Sequence, residues 1–563
     1  MNSAWSDPIL TCAEARALET RRFGGDEEKE WPAMQQAGAA VGRAVLEDIR
    51  EAGGFPPGGR LLVLVGKGHN GGDALLATAT ILERHPDARV DVVFPLGERS
   101  LGPLAARAWR QLMDGAGLPA GSADRVQRVS RGPATEAATY DVCLDGIFGF
   151  QFRPPVDAAV MAWLRRANQH PHIRLRAAVD LPSGVGEESA DGAFRADFTY
   201  ATGTVKAPLL DPRHRGTVGR LRYLDLGFFD DSAAGVGDPG CKAPDRVLKS
   251  AILAPLAALR ATQTDKRTFG HLCVVGGSRR YPGAVLMGVR AALRSGVGLV
   301  TAFVPESLAA AFAARAPEAM WVGWPETATG SLALAGLPLL QTRLDRATAV
   351  AIGSGLGTEG ETLALVAEIL KLAGLPVVLD ADALRPEILA AAPRGRTVCL
   401  PHAGEFKRLA GDREATTDTL RAVARESGAT VVLKGPVTRI AGGATLQSAL
   451  EEAGPKARST TVYHSFFGGP VLARGGSGDL LAGLVGGLLA QAPAEPLAAV
   501  CRGVVWHGLA ADLLARKRGQ VAVQTTQVLD HLSAALRPTG SAGDPPAESD
   551  QRPGAPGSDR LDR

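Results

Sequence analysis

Short apolar runs rich in valine, leucine and isoleucine alternate along the chain with longer stretches whose apolar residues recur every three or four positions. This pattern predicts strands and helices in alternation, and so parallel sheets with helices on their faces. In the first half the runs predict strands at Arg60–Val65, Arg89–Phe94, Tyr140–Leu144, Ile173–Val179 and Gly219–Leu224. A second series is predicted at His271–Val275, Leu299–Val304, Ala347–Ile352, Pro376–Leu379, Thr397–Leu400 and Thr430–Leu433. Between them, GVGDPGCKA at 235–243 reads as a boundary. The expectation is two doubly wound α/β domains, 1–235 and 236–537. From 538 to 563 the chain has almost nothing to bury and is expected to be a disordered tail. The longest charge-free apolar run, Leu480 to Ala494, is too short for a bilayer and contains three glycines and a proline, so it predicts a buried helix.

Composition narrows the function classes. The 563 residues include 68 glycines and 37 prolines, yet 45% are hydrophobic and 21% charged, so the glycine belongs in turns and ligand loops. The 62 basic and 59 acidic residues nearly cancel to +3, and aromatics are only 5%. This argues against nucleic-acid binding, which needs a basic footprint and stacking platforms. No period of 20 to 50 residues recurs. Six cysteines at widely spaced positions form no CxxC, and the first residues lack a basic-then-apolar signal. The expected protein is a cytoplasmic homo-oligomer that handles small molecules and has neither nucleic-acid nor membrane partners.

Candidate chemistry in the first half starts where LLVLV runs into Gly66-Lys67-Gly68-His69-Asn70-Gly71-Gly72-Asp73 before a helical stretch. This is formally a G-x-G-x-x-G between strand and helix, but the acid that should close the next strand is missing: Asp91 lies near the start of VDVVF. Two further strands end in aspartate, at Asp145-Gly146 and Asp180-Leu181-Pro182-Ser183. Ligands of open parallel sheets sit outside the carboxyl ends of the strands, so Asn70, Asp145, Asp180 and Ser183 are expected to converge on one crevice. Their oxygens, without His or Cys, suit a hard cation, and the sparse charge suits a monovalent one.

KGHNGGDAL, LDGIFG, VDLPSG and the opening WPAMQQAG resemble the NAD(P)H-hydrate epimerase domain, a Rossmann-like fold. The resemblance implies epimerisation of hydrated nicotinamide cofactor with bound potassium held by Asn70, Asp145 and Ser183. It further implies a substrate pocket of His69, Asn70, Gly71, Gly72, Asp73, Gly149, Phe150 and Asp180, with Asp180 as acid/base, and Lys206 where the family has a Pro-Lys. The chain departs from the family at His69 for asparagine, Ala74 for glycine, and GFQF after Phe148.

In the second half, VVGGSRRYPGA, AIGSGLG and LDADAL are strand-end turns, LPHAGEFKRL sets His402 and Glu405 at a helix start, and LKGPVT carries Lys434. In the last of these turns Gly475-Gly476-Ser477-Gly478-Asp479 opens a glycine-rich helix. Free amides at such a start attract negative charge, so an aspartate there needs a task. Taking a proton from a hydroxyl that attacks a phosphoryl group is that task. A glycine-rich helix start capped by Asp479 is the plain alternative. No Walker A Gly-Lys-Ser/Thr is present.

KRTFGHLCVVGGS, PGA, SGLG, DADAL, PHAGEFKRL, LKG and GGSGD, in this order over roughly 245–530, resemble the ribokinase-like superfamily, and within it the ADP-dependent NAD(P)H-hydrate dehydratase domain. The resemblance implies nucleotide held by Lys434, Gly435, Pro436, Val437, Thr438 and Gly478, with magnesium accompanying ADP or ATP. It also implies hydrated NADH or NADPH contacted by Ala284, Gly355, His402 and Asp479, phosphorylated on its ring hydroxyl and then relieved of phosphate. The whole chain thus resembles a bifunctional repair enzyme whose epimerase feeds the S-hydrate to a dehydratase. Two alternatives stand beside it: a ribokinase-superfamily small-molecule kinase with a non-catalytic first domain, and a first half that serves as a protein-interaction scaffold.

Overall fold

The computed structural model describes residues 5–129, 138–230, 245–442 and 460–537. The predicted boundary segment and the tail lie outside these residues. Strands and helices alternate as the apolar pattern requires, and two sheets result.

The first sheet has seven strands. In chain order they are β2 (Arg60–Val65), β3 (Arg89–Val93), β4 (Val126–Arg128), β5 (Tyr140–Gly146), β6 (Ile173–Val179), β7 (Phe198–Thr202) and β9 (Arg220–Leu224), with spatial order β4-β3-β2-β5-β6-β7-β9. Every pairing is parallel. The winding reverses between β2 and β5, the point at which a doubly wound sheet opens a crevice. Helix α1 (Cys12–Phe23) begins at a Thr11–Glu14 capping box. Helix α2 (Glu27–Asp48) packs on α3 (His69–Arg84). Gly38 and Gly42 permit that approach, since a methyl group on either would lie 2.4 Å from Leu76 Cβ or 2.7 Å from the Ala77 carbonyl.

The second sheet has twelve strands. Six parallel strands follow the predicted runs, β11 (His271–Val275), β12 (Leu299–Pro305), β14 (Ala349–Ile352), β15 (Val377–Leu379), β16 (Thr397–Cys399) and β17 (Thr430–Leu433), and β13 (Met320–Trp324) adds a parallel edge beside β12. Winding reverses between β11 and β14. Beyond β17 come β18 (Thr438–Ala441) and β19 (Val462–Ser465), both antiparallel to their predecessors. The sheet then continues through β10 (Asp245–Leu248) to β1 (Ser6–Leu10) and the two-residue β8 (Val205–Lys206). A strand from the start of the chain therefore joins the second half's sheet to the first half. The helix Ser477–Gln491 fills the predicted buried position, with twelve of its fifteen residues buried. Helix Pro496–Arg518 is apolar and long enough to cross a membrane, but most of it is core in this fold. All five described cysteines are buried and free.

Candidate active sites

The first site forms at the β2/β5 reversal. Gly66 and Gly71 are pressed against backbone: a Cβ on Gly66 would come 1.8 Å from the Ile147 carbonyl, and one on Gly71 2.2 Å from the Gly66 carbonyl. This closeness brings the start of α3 onto the end of β5. Asn70 Nδ2 donates to the Phe148 carbonyl at 2.9 Å, and no hydrogen bond to its Oδ1 is formed among the described residues. Asp145 is fully buried and accepts from Ser183 Oγ at 2.6 Å and Ser183 N at 2.7 Å. Ser183 Oγ in turn accepts from Phe148 N at 2.9 Å. Asn70, Asp145 and Ser183, separated by up to 113 positions, therefore sit together. Burial pushes the Asp145 carboxyl up to about 6 against its hydrogen bonds.

Asp180 ends β6 with φ +63°, one of three non-glycine residues in the left-handed region among the described residues. Its carboxylate accepts from the Lys206 ammonium, and Lys206 is 1% exposed. The Phe150 ring lies 5.2 Å from the Lys206 nitrogen, so Gly149 and Phe150 border this ion pair. Asp73 is buried, and burial together with the charges of Asp180 and Glu19 holds its carboxyl well above the usual range. His69 stands apart, half exposed, with Nε2 3.3 Å from Glu30. Ala74, where the family has glycine, faces Gly146, whose missing side chain accommodates the methyl group. Asp91 is no ribose ligand: it is buried against Arg60 at 2.6 Å and the Tyr140 hydroxyl at 2.7 Å.

Sequence reasoning missed Glu19. Burial pushes its carboxyl up to about 7, with Lys206 pulling it down and Asp180 pushing it up. The signal available was an acid on the inner side of an amphipathic helix, which is too common to single out.

The second site forms at the β11/β14 reversal. A cavity of about 540 Å³ is lined by Ala284, Gly355 and Asp479, together with Ser278, Arg280 and Asp382. The turns after β11 and β14 interlock, since Ser278 Oγ donates to the Gly355 carbonyl at 2.8 Å and a Cβ on Gly355 would meet the Tyr281 carbonyl at 2.5 Å. Gly476 has φ +89° and caps the helix Ser477–Gln491, setting Asp479 in its first turn. Burial, then Asp380, push the Asp479 carboxyl up to about 6 in spite of Ser354 and Lys434. Lys434 Nζ is 3.0 Å from Asp380, which is 3% exposed, and a Cβ on Gly478 would lie 3.2 Å from that ammonium. Asp380, Lys434, Gly478 and Asp479 thus share one place. Gly435, Pro436 and Val437 form the turn from β17 to β18, which Thr438 opens. His402 does not line the cavity. It caps the helix Ala403–Leu409, its Nδ1 accepting from Gly404 N at 3.0 Å, while Glu405 accepts from His402 N at 2.8 Å. Glu405 therefore fills the capping role, and His402 reaches the site through its backbone pairing with Lys434.

Two family models match this chain. Residues 32–207 match the YjeF-related protein N-terminus, and residues 272–534 match NAD(P)H-hydrate dehydratase. The bifunctional NAD(P)H-hydrate repair enzyme of Gloeobacter violaceus is 34% identical over 90% of this chain and 94% of its own length. That of Thermosynechococcus vestitus is 34% identical over 94% and 97%. Among solved structures, the ADP/ATP-dependent NAD(P)H-hydrate dehydratase of Bacillus subtilis, co-crystallised with ATP and Mg2+, is 26% identical, with a TM-score of 0.40 over 49% of this chain and 92% of that one. With relatives aligned end to end at this identity, the chain belongs to the family of bifunctional NAD(P)H-hydrate repair enzymes.

Proposed function

We propose that the two crevices divide one repair task. The first half, 1–235, epimerises the R- and S-hydrates of NADH and NADPH. The second, 236–537, dehydrates the S form at the expense of ADP or ATP and restores the reduced cofactor. The observation that carries this reading is that one chain holds two strand-end crevices, each with its own acid, Asp180 paired with Lys206 and Asp479 next to the Asp380–Lys434 pair. On this reading the enzyme is a cytoplasmic homo-oligomer acting on small molecules.

In the first crevice, exchanging the two epimers requires the ring C–O bond to break and water to add to the opposite face. The Asp180–Lys206 pair supplies one proton to the departing hydroxyl, which leaves as water, and takes a proton back from the water that adds to the opposite face, so that the pair ends as it began. Asn70, Gly71, Gly72 and Asp73 form one wall of the substrate pocket, with His69 at its exposed outer end beside Glu30, and Gly149 and Phe150 form the other. Asp145 is a buried carboxylate with no basic side chain paired to it among the described residues, and a buried charge calls for a counter-ion. Potassium held by oxygens of Asn70, Asp145 and Ser183 fits that demand and supplies a fixed positive charge in the crevice.

In the second, the ring hydroxyl oxygen attacks the terminal phosphoryl group of the nucleotide, and Asp479 takes the hydroxyl proton. Backbone amides at Gly476 to Gly478 and the Lys434 ammonium offset the charge on the transferring group. The new ester then leaves as inorganic phosphate while the neighbouring ring carbon loses a proton, regenerating the double bond of NAD(P)H with AMP or ADP as co-product. Lys434, Gly435, Pro436, Val437, Thr438 and Gly478 hold the nucleotide, and Ala284, Gly355 and Asp479 the hydrate, with His402 bordering the site from the chain segment paired with Lys434. No cluster of three metal-ligating side chains exists among the described residues, so magnesium is expected to come with the nucleotide, whose phosphate charge it neutralises.

The test is a racemic mixture of NADH hydrates with ADP or ATP. Recovery of all the NADH supports both activities. Arrest at half leaves the dehydratase alone, and no recovery overturns the reading.

A further inference from the structure

The hydrated dinucleotide is an anion, yet carboxylates border the dehydratase cavity. Asp382, Glu359 and Asp479 all line it. Glu359 accepts from the hydroxyls of Thr329 at 2.6 Å and Thr327 at 2.7 Å, which hold it below the usual carboxylate range. Like charges in one cleft repel an anionic substrate unless a cation balances them. Among the described lining residues one is basic, Arg280.

Arg280 differs from its neighbour. Arg279 is engaged by Glu326 at 2.7 Å, whereas Arg280 has no carboxylate partner among the described residues. Its guanidinium lies 5.4 Å from the ring centre of Tyr281, an aromatic side chain 46% exposed. The loop presenting it is fixed: Arg279 N donates to the Gly330 carbonyl at 2.8 Å and Tyr281 N to the Ser278 carbonyl at 3.1 Å, while Ser278 is bonded across to the β14 turn. A fixed loop at the cavity wall thus holds out a guanidinium whose donor fork is unused, and that fork matches phosphate oxygens in pairs.

We propose that Arg280 is a substrate-binding residue of the dehydratase that holds a phosphate group of the hydrated dinucleotide. The inference rests on the dehydratase reading above. The phosphate has two possible sources, the pyrophosphate common to both cofactors and the 2′-phosphate of NADPH hydrate alone.

The experiment measures kcat and KM of the full chain for S-NADH hydrate and S-NADPH hydrate at saturating nucleotide, for wild type, Arg280→Ala and Arg280→Lys. Arg280→Ala is expected to raise KM about tenfold or more, with kcat within about twofold, and the retained lysine charge to recover part of the loss. A rise for both substrates identifies the pyrophosphate, and a rise for NADPH hydrate only identifies the 2′-phosphate. A KM within about twofold of wild type for both hydrates overturns the proposal. An inactive wild type would overturn the dehydratase reading itself, which separates the two failures. Because Arg280 is exposed, melting curves of the variants should overlay that of the wild type.

Discussion

Asp479 sits where a helix dipole favours its charge and burial opposes it, and burial wins, leaving its carboxyl at about 6. Two consequences follow at this residue. Dehydration should fall as pH drops below about 6, since the proton acceptor is then lost; a rate that stays level down to pH 5 would remove Asp479 from that role. Asp479→Asn should lower the dehydratase rate about 10²- to 10⁴-fold. The sign for stability is the opposite. A carboxyl raised on folding stabilises only below its unfolded pKa, and that contribution is gone once pH rises through about 6. The neutral amide should therefore melt no lower than wild type at pH 8, while epimer exchange is unaffected. His69, half exposed and touching only Glu30, should tolerate His69→Asn. An epimerase loss beyond about tenfold, roughly 1.4 kcal/mol of barrier, would show that the imidazole has its own task.

At the scale of elements, both sites depend on loops that leave no room for a side chain. Gly66→Ala would drive a methyl group into the Ile147 carbonyl, separating the start of α3 from β5 and hence Asn70 from Asp145 and Ser183. Epimerase activity should fall well before dehydratase activity, and the ratio of the two rates in one preparation measures this. The cation site belongs to the same junction. Replacing potassium by a bulky organic cation should slow epimer exchange strongly and leave Asp479 chemistry intact; an unchanged exchange rate would remove the cation from Asn70, Asp145 and Ser183. Strained backbone marks both sites as well, with Asp180 at φ +63° and Ala381, next to Asp380, at φ +49°.

Across the whole molecule the halves are joined by charge as well as by strands. Arg222, 8% exposed, binds Asp48 at 3.0 Å and Asp512 at 3.1 Å, and its Nη1 donates to the Phe466 carbonyl at 3.3 Å. Arg516 binds Asp48 at 2.9 Å, and Arg220 joins Glu51 at 2.6 Å to Asp512 at 2.9 Å. Burial alone would raise the Asp48 carboxyl, but Arg222 and Arg516 hold it below its usual range. Arg222→Met would take from the buried Asp48 and Asp512 one of the two arginines that hold each, leaving Arg516 and Arg220, at a cost of about 1–3 kcal/mol for the hydrogen bonds left unmade. We expect wild type to unfold in one calorimetric transition and Arg222→Met to melt lower, in two. Wild type unfolding in two separate steps would contradict a rigid union of the halves.

The runs at Arg60–Val65, Ile173–Val179, His271–Val275 and Thr430–Leu433 became strands with those same limits, because the buried faces of parallel strands need a run of apolar residues that announces itself locally. The convergence of Asn70, Asp145 and Ser183 was also legible, since glycine turns and strand-end aspartates follow a general rule of open sheets. Other features were not. The strand Ser6–Leu10 contains a proline and no alternation, and Val205–Lys206 is two residues long; only partners far along the chain make either a strand. Arg222 and Asp512 meet across 290 positions, and no local pattern foretells such a pair. No local pattern singles out Glu19 or Arg280 either. Local chemistry thus determined the strands, the turns and the acids at their ends. Burial and long-range pairing, which exist only after the chain has folded, decided which charges were stranded, which were paired and how the two halves were joined.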